Sequence, residues 1–496
     1  MAVTVQTTSG RIEGTDNGTH QVFRGIPYAA PPVGRLRFEA PRQPEPWAGV
    51  RSCVETGSSC PQPPSPLQGM ASGPQNEDCL ALNVFTPGCD DGARPVLFWI
   101  HGGAFRTGSN SQAMYEGRAL IERGNVVLVT INYRLGPLGY LHLDDAARNV
   151  GQHDQIQALE WVRDNVAQFG GDPNHVTIFG ESAGGMATTT LLAMPAARGL
   201  FHRAIAQSGA AQATLTQDEA ARVRFEMGRA LDLENVDARR LRDVPVEALV
   251  QASVRTHEKL AAEIFLPFAP VVDDDTLPVH PLDAVRAGDA RDVELIVGTT
   301  RDEWRLFTFA IRSHRAMDPA GLRKHVHSRL RRATVTDPEA ATERLLATYG
   351  HEGRAPWEVF DAIETDRLFR LPAIALAEAQ AAHQSATFAY LFSWPSPAGR
   401  GALGACHAIE LPFVFGTLDA PTMDRFAGRG PEADALSLQT MDAWLAFGRS
   451  GNPSHAGLGE WRPYDETRRE TLVFDRESRV EADPFPAERR VWDDVL

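Results

Sequence analysis

This sequence predicts an α/β fold: a mostly parallel, doubly wound central sheet with an N-terminal antiparallel portion and helical insertions above it. Three observations carry that prediction. Continuous apolar runs recur at Leu82–Phe85, Val96–Ile100, Val126–Ile131, Val176–Phe179, Ala204–Gln207 and Leu295–Gly298. Runs of this kind suit strands covered by helices on both faces. Between two of them Ile156, Leu159, Val162 and Val166 fall on one face of a helix over Gln155–Phe169, and alternating strand and helix is the signature of a doubly wound sheet. Ahead of these, Val3–Gln6, Arg11–Gly14 and Gln21–Arg24 alternate apolar with polar residues, and Asp16-Asn17-Gly18 supplies a hairpin turn.

The remaining elements follow in chain order. Residues 27–66 are rich in proline and glycine and read as a long irregular loop. Asp172-Pro173 breaks the chain before the strand Val176–Phe179, and a helix starts near Ala183 and runs to Leu192. Residues 216–260 and 314–385 are amphipathic helix rich in Arg, Ala and Glu, read as insertions or lids over the sheet. There is no internal repeat, low-complexity tract or Pro/Gly/Ser linker.

Composition bounds the function. Apolar residues make up 43% and charged residues 23%, the balance of a globular protein. The net charge of −15 argues against nucleic acid and against an anionic membrane surface. It also makes a neutral or cationic ligand the easier expectation, unless a local basic group captures an anion. Lys259 and Lys324 are the sole lysines, so nearly all positive charge is arginine. Five cysteines, Cys53, Cys60, Cys79, Cys89 and Cys406, have no zinc-ligand spacing and are too few for a disulfide scaffold. The first ten residues lack the basic flank and apolar stretch of a signal peptide, and no apolar run reaches the ~18 residues of a membrane span. A cytoplasmic location is the expectation.

Chemistry concentrates in two motifs. Gly180-Glu-Ser182-Ala-Gly184 follows a predicted strand and opens a predicted helix. Small flanking residues permit the tight turn that lifts a serine hydroxyl clear of a sheet, and the Ala183 N–H at the helix start is placed to hold an oxyanion. His101-Gly102-Gly103-Ala104-Phe105 follows the strand ending at Ile100; Gly103 and Ala104 N–H groups would supply the other half of the oxyanion hole.

A serine nucleophile needs a base, and the base needs an orienting acid. Histidines after Ser182 are His202, His257, His280, His314, His325, His327, His351, His383, His407 and His455. His407 stands out because it follows the small-residue loop Gly401-Ala-Leu-Gly404-Ala-Cys406. Asp302 and Glu303 lie just past the strand Leu295–Gly298, where α/β sheets place their sites. Asp273, Asp274 and Asp275 are rivals that chain context leaves open.

At these residues the chain resembles the type-B carboxylesterase/cholinesterase family of α/β-hydrolases. The resemblance runs nearly end to end. It includes Phe23-Arg-Gly-Ile-Pro-Tyr-Ala29, Glu77-Asp-Cys79-Leu-Ala-Leu-Asn83, Asn132-Tyr-Arg134, Phe169-Gly-Gly-Asp-Pro173, Gln207-Ser-Gly209, Gly298 to Glu303, His407 to Gly416 and Gly451-Asn-Pro453. It implies an α/β-hydrolase fold with Ser182 as nucleophile, Glu303 as acid and His407 as base. Gly103, Ala104 and Ala183 are implied as oxyanion donors, and Ser208 as a support of the acid–histidine pair. Because that triad spans residues 182 to 407, the whole chain, 1–496, is expected to be one catalytic domain with insertions at about 216–260 and 314–385.

Ion pairs Arg37–Glu77 and Arg134–Asp172 are implied too, and Cys60 and Cys79 match positions bridged in secreted relatives. Ile264, Leu266 and Phe268 match an acyl-pocket stretch, and Trp304 stands where the family often has glycine. The loop Pro61–Asn76 has no aromatic residue, so the tryptophan that receives choline is missing and cation–π recognition there is not expected. The expectation is a serine esterase for neutral, short-chain aliphatic or aryl esters acting through an acyl-enzyme, with no metal or cofactor. A carbamate hydrolase of the same fold is the alternative, and a non-catalytic cholinesterase-like binding protein is the remote one. Monomer and homodimer stay open.

Overall fold

The structure, a computed structural model, describes residues 1–64, 73–333, 335–350, 353–493 and 495. His351 and the middle of the Pro61–Asn76 loop lie outside the described residues. The strands in chain order are β1 (Ala2–Gln6), β2 (Arg11–Asp16), β3 (Gln21–Pro27), β4 (Val50–Ser52), β5 (Ala81–Thr86), β6 (Arg94–Ile100), β7 (Val127–Ile131), β8 (Gly171–Glu181), β9 (Arg203–Gln207), β10 (Glu294–Thr300), β11 (Thr387–Phe392), β12 (Glu470–Phe474) and β13 (Arg479–Ala482). Among the described residues they form one sheet in the order β1-β2-β3-β5-β7-β6-β8-β9-β10-β11-β12-β13, with β4 beside β2. The block from β7 to β12 is parallel, whereas the N-terminal strands from β1 through β5, apart from β4, and the terminal pair β12–β13 are antiparallel.

The apolar runs become parallel strands because each strand can bury both faces. In β6, Val96, Phe98 and Ile100 enter one core while Leu97 and Trp99 enter the other. The same split divides Val127, Val129 and Ile131 from Leu128, and Leu295 and Val297 from Ile296. The first core is closed by helices that include Val150–Asn165, Ala183–Ala193, Val246–Leu260 and Leu371–Ala381. The second is closed mainly by Arg118–Gly124, Pro431–Ser450 and the segment around Ile409–Leu418. No helix among the described residues is long and apolar enough to cross a membrane.

Several expectations change. The helix placed at Gln155–Phe169 begins at Val150, and its end from Val166 to Phe169 tightens to a 3-10 turn. Asp172-Pro173 does not precede its strand: β8 starts at Gly171, and the pair interrupts register, with Arg94 opposite Gly171 but Val96 opposite Val176. Proline lacks the N–H that a central ladder needs, so the strand bulges there rather than ending. β4, β11, β12 and β13 are additional to the strands expected from the sequence.

Arg134 pairs with Asp154, not Asp172. Its guanidinium bonds both carboxylate oxygens at 2.8 and 2.6 Å, and both side chains are buried. Arg134 follows the carboxyl end of β7, whereas Asp172 sits at the amino end of the parallel β8, across the sheet. Asp154, on the helix that follows, is within reach, and Asp172 instead accepts the Asn174 N–H at 2.9 Å. Arg37 does bond Glu77, through Nε at 2.7 Å and Nη2 at 2.5 Å. Cys60 and Cys79 are buried free thiols. The Cys60 sulfur beside it, together with burial, holds the Cys79 thiol well above its ordinary pKa.

Candidate active site

Four sequence segments converge at the carboxyl edge of the parallel strands, the edge where open α/β sheets bind ligands. The loop after β6 brings His101–Thr107, the turn after β8 brings Ser182, the turn after β10 brings Glu303, and the loop after β11 brings His407.

Ser182 has φ 57° and ψ −124°, a conformation non-glycine residues rarely adopt and one that costs about 1–3 kcal/mol. It is held there from both sides. Its N–H donates to the Gln207 carbonyl at 2.9 Å, and its carbonyl accepts from Met186 N–H at 2.9 Å. The flanking glycines are required by close approach: a Cβ on Gly180 would meet the Gly184 backbone at 2.4 Å, and one on Gly184 would meet the Ile100 carbonyl at 2.0 Å. The helix Ala183–Ala193 starts at once, so the Ala183 N–H has no partner within its helix.

The loop after β6 lies against that turn, since a Cβ on Gly102 would sit 3.1 Å from Ser182 Cβ. Gly103, Ala104 and Phe105 all have positive φ, and the Gly103 carbonyl accepts from the N–H groups of Arg106 and Thr107 at 3.0 and 2.9 Å. This tight turn leaves the Gly103 and Ala104 N–H groups without a backbone partner among the described residues. His101 is structural: its ring stacks on Tyr133 at 4.6 Å, and burial pulls its pKa down to about 4.

Glu303 and His407 are brought together. His407 Nδ1 donates to Glu303 Oε2 at 2.6 Å, and Glu303 Oε1 accepts the Thr300 N–H at 2.8 Å. Asp302 clamps the loop that carries the histidine: its N–H donates to the Ala405 carbonyl at 2.8 Å, and its Oδ2 accepts the Ala405 N–H at 2.9 Å. Gly404, at φ 58°, lets the loop pass, because a Cβ there would meet Asp302 Oδ2 at 2.5 Å. The rival Asp273 is taken up locally, accepting three backbone N–H groups of its own turn and the Asn149 amide. Among the rival histidines, His202 accepts the Val176 N–H, and His314 faces Asp361 at 2.8 Å.

The other ring nitrogen, His407 Nε2, lies 3.0 Å from Glu181 Oε1, but that oxygen is off the line of the ring N–H and accepts no hydrogen bond. Glu181 is the residue immediately before Ser182. A third buried carboxylate, Glu410, accepts from Gln207 Nε2 at 3.2 Å. Burial alone would depress His407, but the charges of Glu181 and Glu303 outweigh it and raise the imidazole to about 9. Burial raises Glu181 and Glu410, and neighbouring carboxylates push both further. Buried like charges disfavour one another, so the protonation of Glu181, Glu410 and the imidazole is interdependent.

Other implied residues are placed less simply. The Ser208 hydroxyl is buried and bonds none of the described residues, while its N–H donates to the Gly298 carbonyl at 2.8 Å. Ile264, Leu266 and Phe268 are buried in the first core, and the ring in that stretch that reaches the histidine's neighbourhood is Phe265, 6.5 Å from Phe369. Trp304 is half-buried against Phe307 at 5.1 Å. Phe307 and Phe369 stack nearly parallel, and each ring centroid is 5.1 Å from that of His407. Sequence reasoning missed Glu181, Glu410, Phe307 and Phe369. Glu181 and Glu410 sit inside quoted motifs and could have been marked by their contiguity with Ser182 and His407, and Phe307 by its one-turn spacing from Glu303. Phe369 offers no local signal.

A doubly wound sheet with a serine on a strained strand–helix turn defines the α/β-hydrolase class. The model of the Carboxylesterase family matches residues 2–492. The chain is 42% identical to para-nitrobenzyl esterase of Bacillus subtilis (strain 168) over 98% of this chain and 97% of that protein. It is 39% identical to phenmedipham hydrolase of Pseudarthrobacter oxydans over 92% and 91%. Among solved structures, a thermophilic PNB esterase superposes with a TM-score of 0.88 at 38% identity, covering 98% of this chain and 99% of that one. A Geobacillus stearothermophilus carboxylesterase gives 0.88 at 38%, covering 99% of each. The chain belongs to the carboxylesterase family and is a carboxylic ester hydrolase.

Proposed function

We propose that this chain is a single catalytic domain that hydrolyses neutral, short-chain aliphatic or aryl esters through an acyl-enzyme on Ser182. His407 takes the Ser182 proton as Oγ attacks the carbonyl carbon, then delivers it to the departing alcohol; in the second half it draws a proton from water, which releases the acid. Glu303 fixes the ring so that Nε2 faces the serine and stabilises the imidazolium. Exchanging Glu181 for the adjacent Ser182 Oγ as the partner of Nε2 completes the relay. Gly103, Ala104 and Ala183 N–H groups hold the tetrahedral oxyanion, each worth roughly 10²–10³ in rate.

The observation that carries this reading is the meeting of a strained Ser182 with the Gly102–Ala104 turn, on the edge where His407 is bonded to Glu303. The rings of Phe307 and Phe369 beside His407 favour an apolar or aryl group at the site. Ser182→Ala should lose ~10⁴-fold or more in kcat on p-nitrophenyl butyrate while its circular dichroism is unchanged. A variant that keeps most of its activity rules the assignment out.

A second reading is supported by the resemblance to phenmedipham hydrolase: carbamates would be cleaved at the same serine. A carbamoyl-enzyme hydrolyses more slowly than an acyl-enzyme, so burst kinetics on matched ester and carbamate substrates separate the two.

A further inference from the structure

We propose that Arg106 and His257 form an anion subsite beside the oxyanion turn, which recruits esters carrying a free carboxylate away from the scissile bond. The proposal rests on the hydrolase reading above. Arg106 is the third residue after Gly103, and its N–H closes the turn on the Gly103 carbonyl at 3.0 Å. Its side chain is half-buried, its Nε is shielded from solvent, and among the described residues it makes no hydrogen bond or ion pair through its guanidinium. The buried arginines elsewhere are treated differently. Arg37, Arg134 and Arg370 each bond both oxygens of one carboxylate.

The surroundings do not cancel the charge. Glu258 is the carboxylate that acts on Arg106 electrostatically, yet it forms no ion pair with it. His257 presents a buried Nδ1 with no partner. Burial, helped by the Arg106 charge, pulls His257 down to about 4, so at neutral pH it is an uncharged ring that can accept or donate. A half-buried guanidinium without a counter-ion is costly, and this chain has acidic side chains to spare. A planar donor fork left open is suited to a carboxylate that arrives with the ligand.

Position ties the pair to the substrate. The Phe105 carbonyl accepts the Gly136 N–H at 2.6 Å, and the short helix Gly136–Tyr140 packs on the helix Val246–Leu260, which carries His257 in its last turn. From that turn the chain leads within a few residues to Phe265, against the Phe369 ring that flanks His407. Arg106 thus follows the oxyanion turn directly, and His257 lies on the helix whose end leads to the aromatic wall.

The test compares kcat/KM on a p-nitrophenyl monoester of a dicarboxylic acid with that on a neutral p-nitrophenyl ester of equal length, and on butyrate esters of 4-hydroxybenzoate and phenol. Arg106→Gln should lower the anionic-to-neutral ratio in at least one pair by roughly tenfold or more. Arg106→Lys should retain part of it, and His257→Ala should lower it less. A ratio unchanged in both pairs overturns the subsite, even if both rates fall together.

A measurement on the unmodified enzyme gives the sign independently. Between ~0.01 and ~0.1 M salt, where screening shortens from ~30 to ~10 Å, the anionic ratio should fall if Arg106 attracts the substrate. It should rise if the net charge of −15 dominates, and that result overturns the proposal. An enzyme that cleaves none of the esters refutes the proposed function rather than the subsite.

Discussion

The site has an inner part borne by the sheet and an outer part that includes the short helix Arg305–Thr308 after β10 and the end of the turn after β6, and the two treat burial in opposite ways. Inside, Glu303 and Glu410 are fully buried, Glu181 and His407 nearly so, and every one is held by a strand end or a named hydrogen bond or ion contact. Outside, Phe307 is 45% exposed and Arg106 has no partner among the described residues. Geometry that must not move is built where parallel strands end. Surface that meets a variable substrate is built on helices and turns whose packing is looser.

Substitutions should separate the two parts by size. Glu303→Gln is expected to cost the most after the serine itself, about 10³–10⁴ in kcat, because the wrong tautomer of His407 would face Ser182. A loss below tenfold would mean another carboxylate of the cluster orients the ring. Asp154→Asn should cost about 3–5 kcal/mol of stability by leaving the buried Arg134 charge unpaired; a melting temperature within a degree or two of the parent would show that the pair is not isolated from water.

Glu181→Gln tests the electrostatics of the inner part. Removing a negative charge beside His407 destabilises the imidazolium, so its pKa falls from about 9 toward the ordinary histidine value. In the proposed mechanism the neutral ring is the base. The acid limb of kcat/KM should therefore move to lower pH, by about one unit or more, and a limb that stays in place or moves up contradicts the assigned cause. Phe307→Ala should have the smallest effect, less than about tenfold, and should fall on aryl esters rather than methyl or ethyl esters, since an exposed ring contributes contact area but no positioning. An equal loss on both ester types would place Phe307 with the inner part by way of His407.

Legibility follows the same division. Ser182, the Gly102–Ala104 turn and the strands β5 to β10 are readable because each is a contiguous pattern: a run, or a motif between a run and a helix. The partner of Arg134 is not, because Asp154 and Asp172 both follow it along the chain and the parallel direction of β7 and β8 is what carries Asp172 to the opposite edge. β11 escapes because it follows a long helical insertion, with no strand–helix rhythm around it to mark its start.

By itself the sequence determined the class of chemistry and marked the proposed nucleophile turn and oxyanion loop, since each needs only a few adjacent residues with small side chains. Within the site, the tertiary structure decided that three buried carboxylates surround one histidine, which aromatic rings stand beside it, and that Arg106 remains uncompensated. Those are facts of distance between residues remote in the chain. Burial strengthens charge interactions so strongly that such distances, not residue identities, set how each group behaves.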